Sequence, residues 1–411
     1  MKSGVPTGLI TGSRDELLPV IIVTLGAEVC LRQIATLKAD PRIFIVLILN
    51  GCSQECVQRF EVAVGSFGIC LTLPRNEGGA GGFRAGMRYV LNHFADSSYV
   101  WLLDDDAEIT NNTLSELLNA AAEFNRKKMR WGVVGSMILS AERRSVVTET
   151  GASVNQGRYG IFQWNHGRLS SAIAPDPILV QYCAAASFLT TIRIIREVGI
   201  FADVFLHYDD VEWCLRVQKK GYPIYCIPRS VIYHPTHISK PATWIRYYDA
   251  ANYLWLCKRY FPFLLPKALV LEILKALYFH LHAFHKTACL YWLGILHGLK
   301  GEKRLHRDDL QFEPYTAILL KEWDLEKLFI TDDPRHAVVF RRRFGYNTTI
   351  ILLPSDKGRS LLYGIRANFL AFFKRKIKIV IDDNFRQRKF LPIWVNNASY
   401  YNIPLDRKVK K

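Results

Sequence analysis

Short, unbroken apolar runs alternate with amphipathic stretches along the first quarter of the chain. Val20-Ile-Ile-Val-Thr24 and Ile43-Phe-Ile-Val-Leu-Ile-Leu49 have no polar alternation, the mark of strands buried on both faces. Ile69-Cys-Leu-Thr-Leu73 and Tyr99–Leu103 read the same way. Between them, one helix is predicted around Leu31–Leu37 and another from Gly78 to about Phe94. Strand–helix alternation of this kind predicts a mostly parallel sheet of nucleotide-binding type. Ligands of such sheets gather outside the carboxyl ends of the strands. Asn50, Asn76 and the triplet Asp104-Asp-Asp106 all fall at those ends.

Further along, the pattern predicts a helix over Leu114–Phe124, a strand over Trp131–Leu139, and loop or short hairpins over Gly151–Pro177. Tyr182–Thr191 leads into a helix from Ile192, residues 207–219 read as helix, and Tyr222–Ile227 and Val231–His234 read as two strands. Phe261–Leu299 is strongly apolar but interrupted by Pro266, Lys267, Glu272, Lys275 and Lys286, so no charge-free run reaches the roughly 20 residues of a bilayer span. Aromatic residues mixed with lysines suit helices lying in a membrane interface, with packing on the first domain as the alternative. Ala337–Phe340, Thr348–Leu353 and Ile377–Ile381 are strand-like, and the basic run Lys374-Arg-Lys376 precedes the last. Asp382-Asp383 repeats the strand-then-acids pattern but lacks its companions, and reads as a turn. Three regions result: 1–250, 251–305 and a small basic extension, 306–411.

Charge sharpens this division. The formal net charge is +17, yet residues 1–250 hold 25 basic and 23 acidic side chains, against 29 and 14 in residues 251–411. A cationic rear half attracts nucleic acid or anionic lipid; its apolar companions favour an anionic membrane surface over nucleic acid. The nine cysteines form no CxxC pair, which fits a reducing compartment. The start of the chain shows no signal-peptide pattern, so a cytoplasmic location is expected.

The chemistry concentrates in three places. Adjacent carboxylates repel one another and raise each other's pKa unless a cation sits among them, and a hard divalent ion shared with substrate phosphates is the usual partner. Alternation puts Asp104 and Asp106 on one side and Asp105 on the other; a helix cap at Asp106 is the plainer reading. Asn76-Glu-Gly-Gly-Ala-Gly-Gly-Phe83 packs four glycines before a helix, which lets backbone approach a phosphate or sugar, or simply makes a turn. It is neither a Walker loop nor a dinucleotide fingerprint. In His207-Tyr-Asp-Asp-Val-Glu-Trp-Cys-Leu-Arg216, Asp210 falls in the first turn of a helix, as a cap or as a proton acceptor for a hydroxyl. Glu212 and Arg216 are four apart and read as a structural pair. His234 ends a strand, either as a packed residue or as the nitrogen ligand of a metal site, with His237 as rival. Histidines 280, 282, 285 and 297 read as packing or interfacial residues.

Together and in this order, the Asn76–Phe83 loop, the strand ending in Asp104-Asp-Asp106 and the Tyr208–Arg216 box resemble inverting family 2 glycosyltransferases of the GT-A fold. Among these, the chain is most similar to bacterial galactofuranosyl- and rhamnosyltransferases of surface polysaccharide synthesis. The resemblance covers about residues 18–300. It implies a Rossmann-like, mostly parallel sheet flanked by helices, followed by a helical region and a small α/β extension. It also implies a UDP- or dTDP-linked sugar donor, a glycan or lipid-linked acceptor, and Mg²⁺ or Mn²⁺ held by Asp104, Asp106 and His234. Asp210 matches the general base. Thr24, Asn50, Arg75, Asn76, Gly81, Gly82, Phe83, Asp104 and Asp105 are the implied donor-side residues, and Glu149, Tyr208 and Asp209 the acceptor-side ones. Two departures stand out: Asn50 occupies a place where many relatives carry Asp-Asn, and Tyr208 replaces the tryptophan usual in galactofuranosyltransferases.

The expected activity is metal-assisted transfer of galactofuranose, or next rhamnose, by a peripheral protein on the inner face of the cytoplasmic membrane, with oligomerisation possible. A non-catalytic nucleotide-sugar or polysaccharide-binding protein is the alternative; it would not need Asp210 and the metal acids together.

Overall fold

The computed structural model describes residues 17–96, 98–154, 160–235, 244–281, 285–301 and 304–310, and four later strands. The chain forms two compact units, one of residues 1–269 with 294–309, the other of residues 270–293 with 310–411.

In the first unit the chain runs β1 (Leu18–Thr24), α1 (Glu28–Leu37), β2 (Ile43–Asn50), α2 (Gln54–Val64), β3 (Gly68–Leu73), α3 (Gly78–His93), β4 (Tyr99–Asp104), β5 (Glu108–Ile109) and α4 (Thr113–Arg126). It continues through β6 (Val133–Ser140), β7 (Val147–Glu149), β8 (Ala152–Val154), β9 (Ile161–Gln163), β10 (Ile178–Val180), β11 (Ser187–Thr191), α5 (Ile192–Val198), α6 (Asp209–Lys219) and β12 (Ile224–His234). Helix α7 (Ile245–Tyr260) follows in this unit; most of α8 (Leu265–Leu281) and the first half of α9 (His285–Lys300) belong to the second unit.

The main sheet has the order β10-β12-β6-β11-β4-β1-β2-β3, with β5 added on β12 and β7 on β6. Pairings β1–β2, β2–β3, β1–β4 and β6–β12 are parallel; β11 runs antiparallel between β4 and β6. The apolar runs explain the centre of this sheet: all eight residues of β2 are buried, because helices cover both faces. One core lies between the sheet and α3, α5 and α6, where Trp213 stacks on Phe188 with centroids 5.7 Å apart. The other lies beneath α1, α2 and α4.

The structure adds to or corrects the sequence reading at three places. The helix α2 is absent from the sequence reading, although Ser53 caps it by accepting a hydrogen bond from the Cys56 amide at 3.3 Å. Within Tyr182–Thr191, which the sequence reading left without an assigned element, a strand forms from Ser187. The two strands expected over Tyr222–His234 are one, β12, with an irregularity between Ile227 and Val231. Pins to α4 hold that irregularity in place: Ser230 Oγ donates to the Thr113 carbonyl at 2.7 Å, and Thr113 Oγ1 donates to the Val231 carbonyl at 2.6 Å.

The second unit contains a four-stranded parallel sheet of order β14-β13-β15-β16, built from β13 (Glu326–Thr331), β14 (Thr348–Leu352), β15 (Ile377–Asp382) and β16 (Ala398–Tyr401). Two of these were expected; β13 and β16 were not. Ala337–Phe340 and Lys374–Lys376 lie outside the described residues, as do His237, His282 and Asp383. Among the described residues, no helix is long and apolar enough to cross a membrane.

Candidate active site

The site forms where β1, β4 and β12 end and β11 begins. At the end of β4 the Asp104 amide donates to the Ala186 carbonyl at 3.2 Å, and Gln33 Nε2 donates to the carbonyls of Asp104 and Ala107, both at 2.8 Å. These bonds fix the turn through the acids. Asp105 points to β1 and accepts from Thr24 Oγ1 at 2.7 Å. Asp104 and Asp106 face the end of β12 instead, with His234 Nε2 3.6 Å from Asp104 Oδ2 and 3.1 Å from Asp106 Oδ1. The odd-and-even division expected of the triplet is what the chain adopts.

One ligand atom from each of Asp104, Asp106 and His234 lies within 4.8 Å of the other two. His234 Nδ1 faces the Pro235 carbonyl at 3.0 Å, which orients the ring and directs Nε2 at the acids. Burial alone would discourage charge on this imidazole, but the bonds and charges of Asp104 and Asp106 outweigh it and lift it to about 10. Two carboxylate oxygens and one imidazole nitrogen are a donor set that suits Mg²⁺ or Mn²⁺ and leaves coordination positions for phosphate oxygens.

Asp210 lies in the first turn of α6, as expected, but its partners exceed those of a cap. Its Oδ1 accepts from the Val211 amide at 2.7 Å and its Oδ2 from the Ala185 amide at 3.2 Å. Burial is the main cause of an upward shift in its pKa; the two amides oppose it and the charge of Asp104 adds to it. Asp209 is pushed up to about 7, first by burial and then by Asp210. Glu149, at the end of β7, is buried and accepts from Gln163 Nε2 at 3.0 Å. Burial raises it to about 7, with Asp210 contributing and the Ala184 amide opposing. Three successive residues before β11 thus fasten three acid-bearing residues: the Ala184 amide meets the Glu149 carboxylate, the Ala185 amide meets the Asp210 carboxylate, and the Ala186 carbonyl accepts from the Asp104 main-chain amide. Nothing in the sequence singles out Ala184–Ala186, because the contribution is entirely backbone.

Helix α3 begins at the glycine-rich loop. Gly78 has φ +74°, and a Cβ there would stand 1.9 Å from the Phe205 carbonyl oxygen. Cβ atoms at Gly82 and Gly86 would stand 2.2 Å from Val23 Cγ1 and 2.3 Å from Ile21 Cγ2. These glycines, spaced by four, seat α3 against β1 and the loop before α6. Gly82 packs against Val23, and Phe83 is buried, edge-on to Phe201 at 5.8 Å. Gly81 is half-buried. Asn50 sits beneath the loop: its Nδ2 donates to Gly78 O at 2.9 Å and Asn76 Oδ1 at 3.2 Å, and its Oδ1 accepts from the Glu77 amide at 2.8 Å. At 2 % exposure, Asn50 shapes the loop rather than presenting an amide above it. Arg75 is exposed and pairs with Glu77 at 3.0 Å.

The matching region of the chain, residues 17–248, fits the family model described as Glycosyltransferase like family 2. The chain belongs to this family. It is 25 % identical over 289 residues to galactofuranosyltransferase GlfT2 of Mycobacterium tuberculosis, a match covering 64 % of this chain and 43 % of the relative. The GlfT2 of Mycolicibacterium smegmatis is 23 % identical over 253 residues, covering 55 % of this chain and 38 % of the relative. The chain therefore aligns with less than half the length of either. Among solved structures, GalNAc-T7 with UDP, GalNAc and Mn²⁺ matches with TM-score 0.39 at 14 % identity, over 57 % of this chain and 50 % of that one. TarS of S. aureus matches with TM-score 0.38 at 13 % identity, over 58 % and 39 %. The curled, mostly parallel sheet with an acid-bearing β4 is the GT-A architecture anticipated for the family.

Sequence reading missed His207. Its Nδ1 pairs with Asp249 Oδ1 at 2.7 Å, and Asp249 also meets Arg246 at 3.1 Å. Burial disfavours the imidazolium, yet the bond to Asp249 and the nearby carboxylates prevail and raise its pKa. Phe205, His207 and Tyr208 all have φ near +64°, with values of 64°, 63° and 65°. Side chains with a Cβ avoid this region, so the loop before Asp210 is strained. Glu212 and Arg216 make the structural pair expected of them, at 2.8 Å.

Proposed function

We propose that the protein is an inverting glycosyltransferase that moves a sugar from a nucleoside diphosphate donor to a hydroxyl of a glycan or lipid-linked acceptor. The observation that carries this reading is the attachment of Asp104 and Asp210 to adjacent residues, Ala186 and Ala185. It ties the residues of an Asp–Asp–His cluster and a carboxylate of raised pKa to neighbouring positions of one segment.

Asp104, Asp106 and His234 would hold Mg²⁺ or Mn²⁺, which when bound neutralises the diphosphate as it departs. The chain's own residues supply the rest. Thr24 and Asp105 order the floor beneath the nucleotide, and the loop shaped by Asn50 and Asn76 presents the start of α3, Gly81 included, to the donor. Asp210 takes the proton from the acceptor hydroxyl as its oxygen bonds to the anomeric carbon and the bond to the diphosphate breaks. The proton stays on Asp210, and the electron pair leaves with the diphosphate. Attack from the face opposite the leaving group inverts the anomeric centre. Glu149, Tyr208 and Asp209 border the base and are assigned to the acceptor. The GlfT2 relatives favour galactofuranose as the sugar; the tyrosine at 208 keeps rhamnose as the second choice.

Membrane association completes the reading. Val270, Leu274 and Leu277 stand exposed along one side of α8, spaced as a helical stripe. That stripe, with the basic composition of residues 251–411, suits an anionic inner-leaflet surface carrying a lipid-linked acceptor.

The test is turnover of UDP-galactofuranose and dTDP-rhamnose with Mn²⁺ by the full chain and by Asp210→Asn. Metal-dependent release of nucleoside diphosphate that disappears in the variant, while donor binding survives, is the expected result. Donor binding without turnover in the unaltered protein would instead identify a nucleotide-sugar-binding protein.

A further inference from the structure

The family match ends at residue 248, yet the two loops that carry the candidate chemistry are fastened by residues beyond it. The glycine-rich loop and the strained loop before α6 already touch: the Ala80 amide donates to the Phe205 carbonyl at 3.1 Å, against which Gly78 is pressed. What holds both is a short segment after α9. His306 is buried, with Nδ1 3.1 Å from the Asn76 carbonyl and Nε2 3.2 Å from Glu77 Oε2. The same ring lies edge-on to Phe205 at 5.5 Å, and Phe205 stacks on Tyr248 at 4.8 Å.

Two residues earlier, Arg304 Nε donates to Asn252 Oδ1 at 2.6 Å and its NH2 donates to the Ala251 carbonyl at 3.0 Å. Arg304 thereby fixes which way the Asn252 amide faces. Asn252 is fully buried, and its Nδ2 reaches the carbonyls of Leu206 at 2.7 Å, His207 at 3.1 Å and Val204 at 3.2 Å. Those carbonyls belong to the strained loop, whose left-handed residues persist only where the surroundings over-determine them. The segment itself is anchored: Tyr248 donates to the Leu305 carbonyl at 2.7 Å, and the Leu305 amide donates to the Tyr247 hydroxyl at 3.1 Å.

We propose that Arg304 and His306 are positioning residues for the transfer reaction, one setting the base-bearing loop through Asn252 and the other setting the donor loop through Asn76 and Glu77. The role rests on the transferase reading for its kinetic consequence but not for its structural one. A donor and a base held by a single three-residue segment are fixed relative to each other, which in-line attack requires.

Hydrogen exchange on the full chain, followed peptide by peptide, tests this together with kinetics. In His306→Ala, exchange within residues 76–82 rises about tenfold while β1, β2 and β4 keep their protection. Donor KM rises about fivefold or more with kcat largely kept. Arg304→Ala accelerates exchange within 204–211 and lowers kcat about tenfold or more, with donor KM little changed. His306→Gln and Arg304→Lys, which keep a donor in place, recover part of each effect, and they carry the test if an alanine variant does not fold. Unchanged exchange in both loops, or a uniform rise that includes β1, β2 and β4, overturns the proposal. Lack of turnover in the unaltered protein would sink the transferase reading while leaving the exchange result to decide this one.

Discussion

Thr24 donates a 2.7 Å hydrogen bond to Asp105, joining the end of β1 to the turn after β4 across the strand pairing between them. The same hydroxyl oxygen accepts from the amides of Gly26 at 3.0 Å and Ala27 at 3.2 Å, so one side chain closes the β1–α1 loop and orients the middle acid.

Thr24→Val keeps the shape and removes all three bonds. Losing one hydrogen bond to this half-buried carboxylate costs about 1–3 kcal/mol. Chemical denaturation should show a loss in that range, and donor KM should rise several-fold with a smaller change in kcat. Unaltered donor binding would mean that the Asp105 turn does not meet the nucleotide.

Removing the imidazole from the acidic cluster tests the metal. His234→Ala should weaken Mn²⁺ binding by on the order of a hundredfold, measured by titration against the free-ion electron paramagnetic resonance signal. Asp105→Asn, one residue from two proposed ligands but turned toward Thr24, should weaken it far less. Equal effects of both substitutions would contradict the division of the triplet.

A base of raised pKa sets the direction of the pH–rate profile. Asp210 works only when ionised, and burial makes ionisation harder. Turnover should therefore be lost as pH falls through a value above the ordinary carboxylate range, rather than near 4. Initial rates at saturating donor and metal, between pH 5 and 9, measure it. An acid limb at the usual aspartate value would exclude Asp210 as the base.

Glu149 gives a separate, thermodynamic signature. Its folded pKa of about 7 lies above its unfolded value, so the folded state binds the extra proton. The associated stability is complete below the unfolded pKa of about 4.3 and is lost as pH rises through about 7. A shift of this size corresponds to up to about 4 kcal/mol. Glu149→Gln should flatten the decline of unfolding free energy between pH 5 and 8. A decline that is unaffected by the substitution would place its cause elsewhere.

The spacing of glycines along α3 predicts a compensating pair. Gly82→Ala drives a methyl group into Val23 and should cost several kcal/mol, on the order of 1–3 by overpacking alone. Adding Val23→Ala should restore part of it, and a double-mutant cycle by denaturation reads the coupling. Additive losses would show that the helix does not rest on β1 through these positions.

Much of this site is legible in sequence because its signals are local. Apolar runs specify β1, β2, β3 and β4, and acids at the end of β4 stand at the edge where ligands collect. Asp104, Asp106 and His234 are 130 residues apart at the extremes, yet Asp104 and His234 each end an apolar strand and Asp106 follows two residues after the first. Glycine is less informative: the loop looks ligand-facing because it lacks side chains, whereas Gly78, Gly82 and Gly86 are small for the sake of Phe205, Val23 and Ile21. Helix α2 is missed because its face is weakly apolar, with only Val57, Phe60 and Val64 buried. His207, Arg304 and His306 carry no local signature at all. Their partners are main-chain oxygens or residues far along the chain, and a backbone acceptor leaves no letter in a sequence.

The irregular stretch in β12 has one more effect. Ile227 faces Ser136 on β6 and Val231 faces the very next residue, Met137, so three residues of β12 have no counterpart. That excess is odd, and strand side chains alternate sides with every residue. Losing one amino acid from Pro228–Ser230 would either draw His234 one place back along its neighbour or swing its ring to the reverse side of the sheet. Evolution can lengthen or trim this strand only in pairs without taking the imidazole away from the acids it meets.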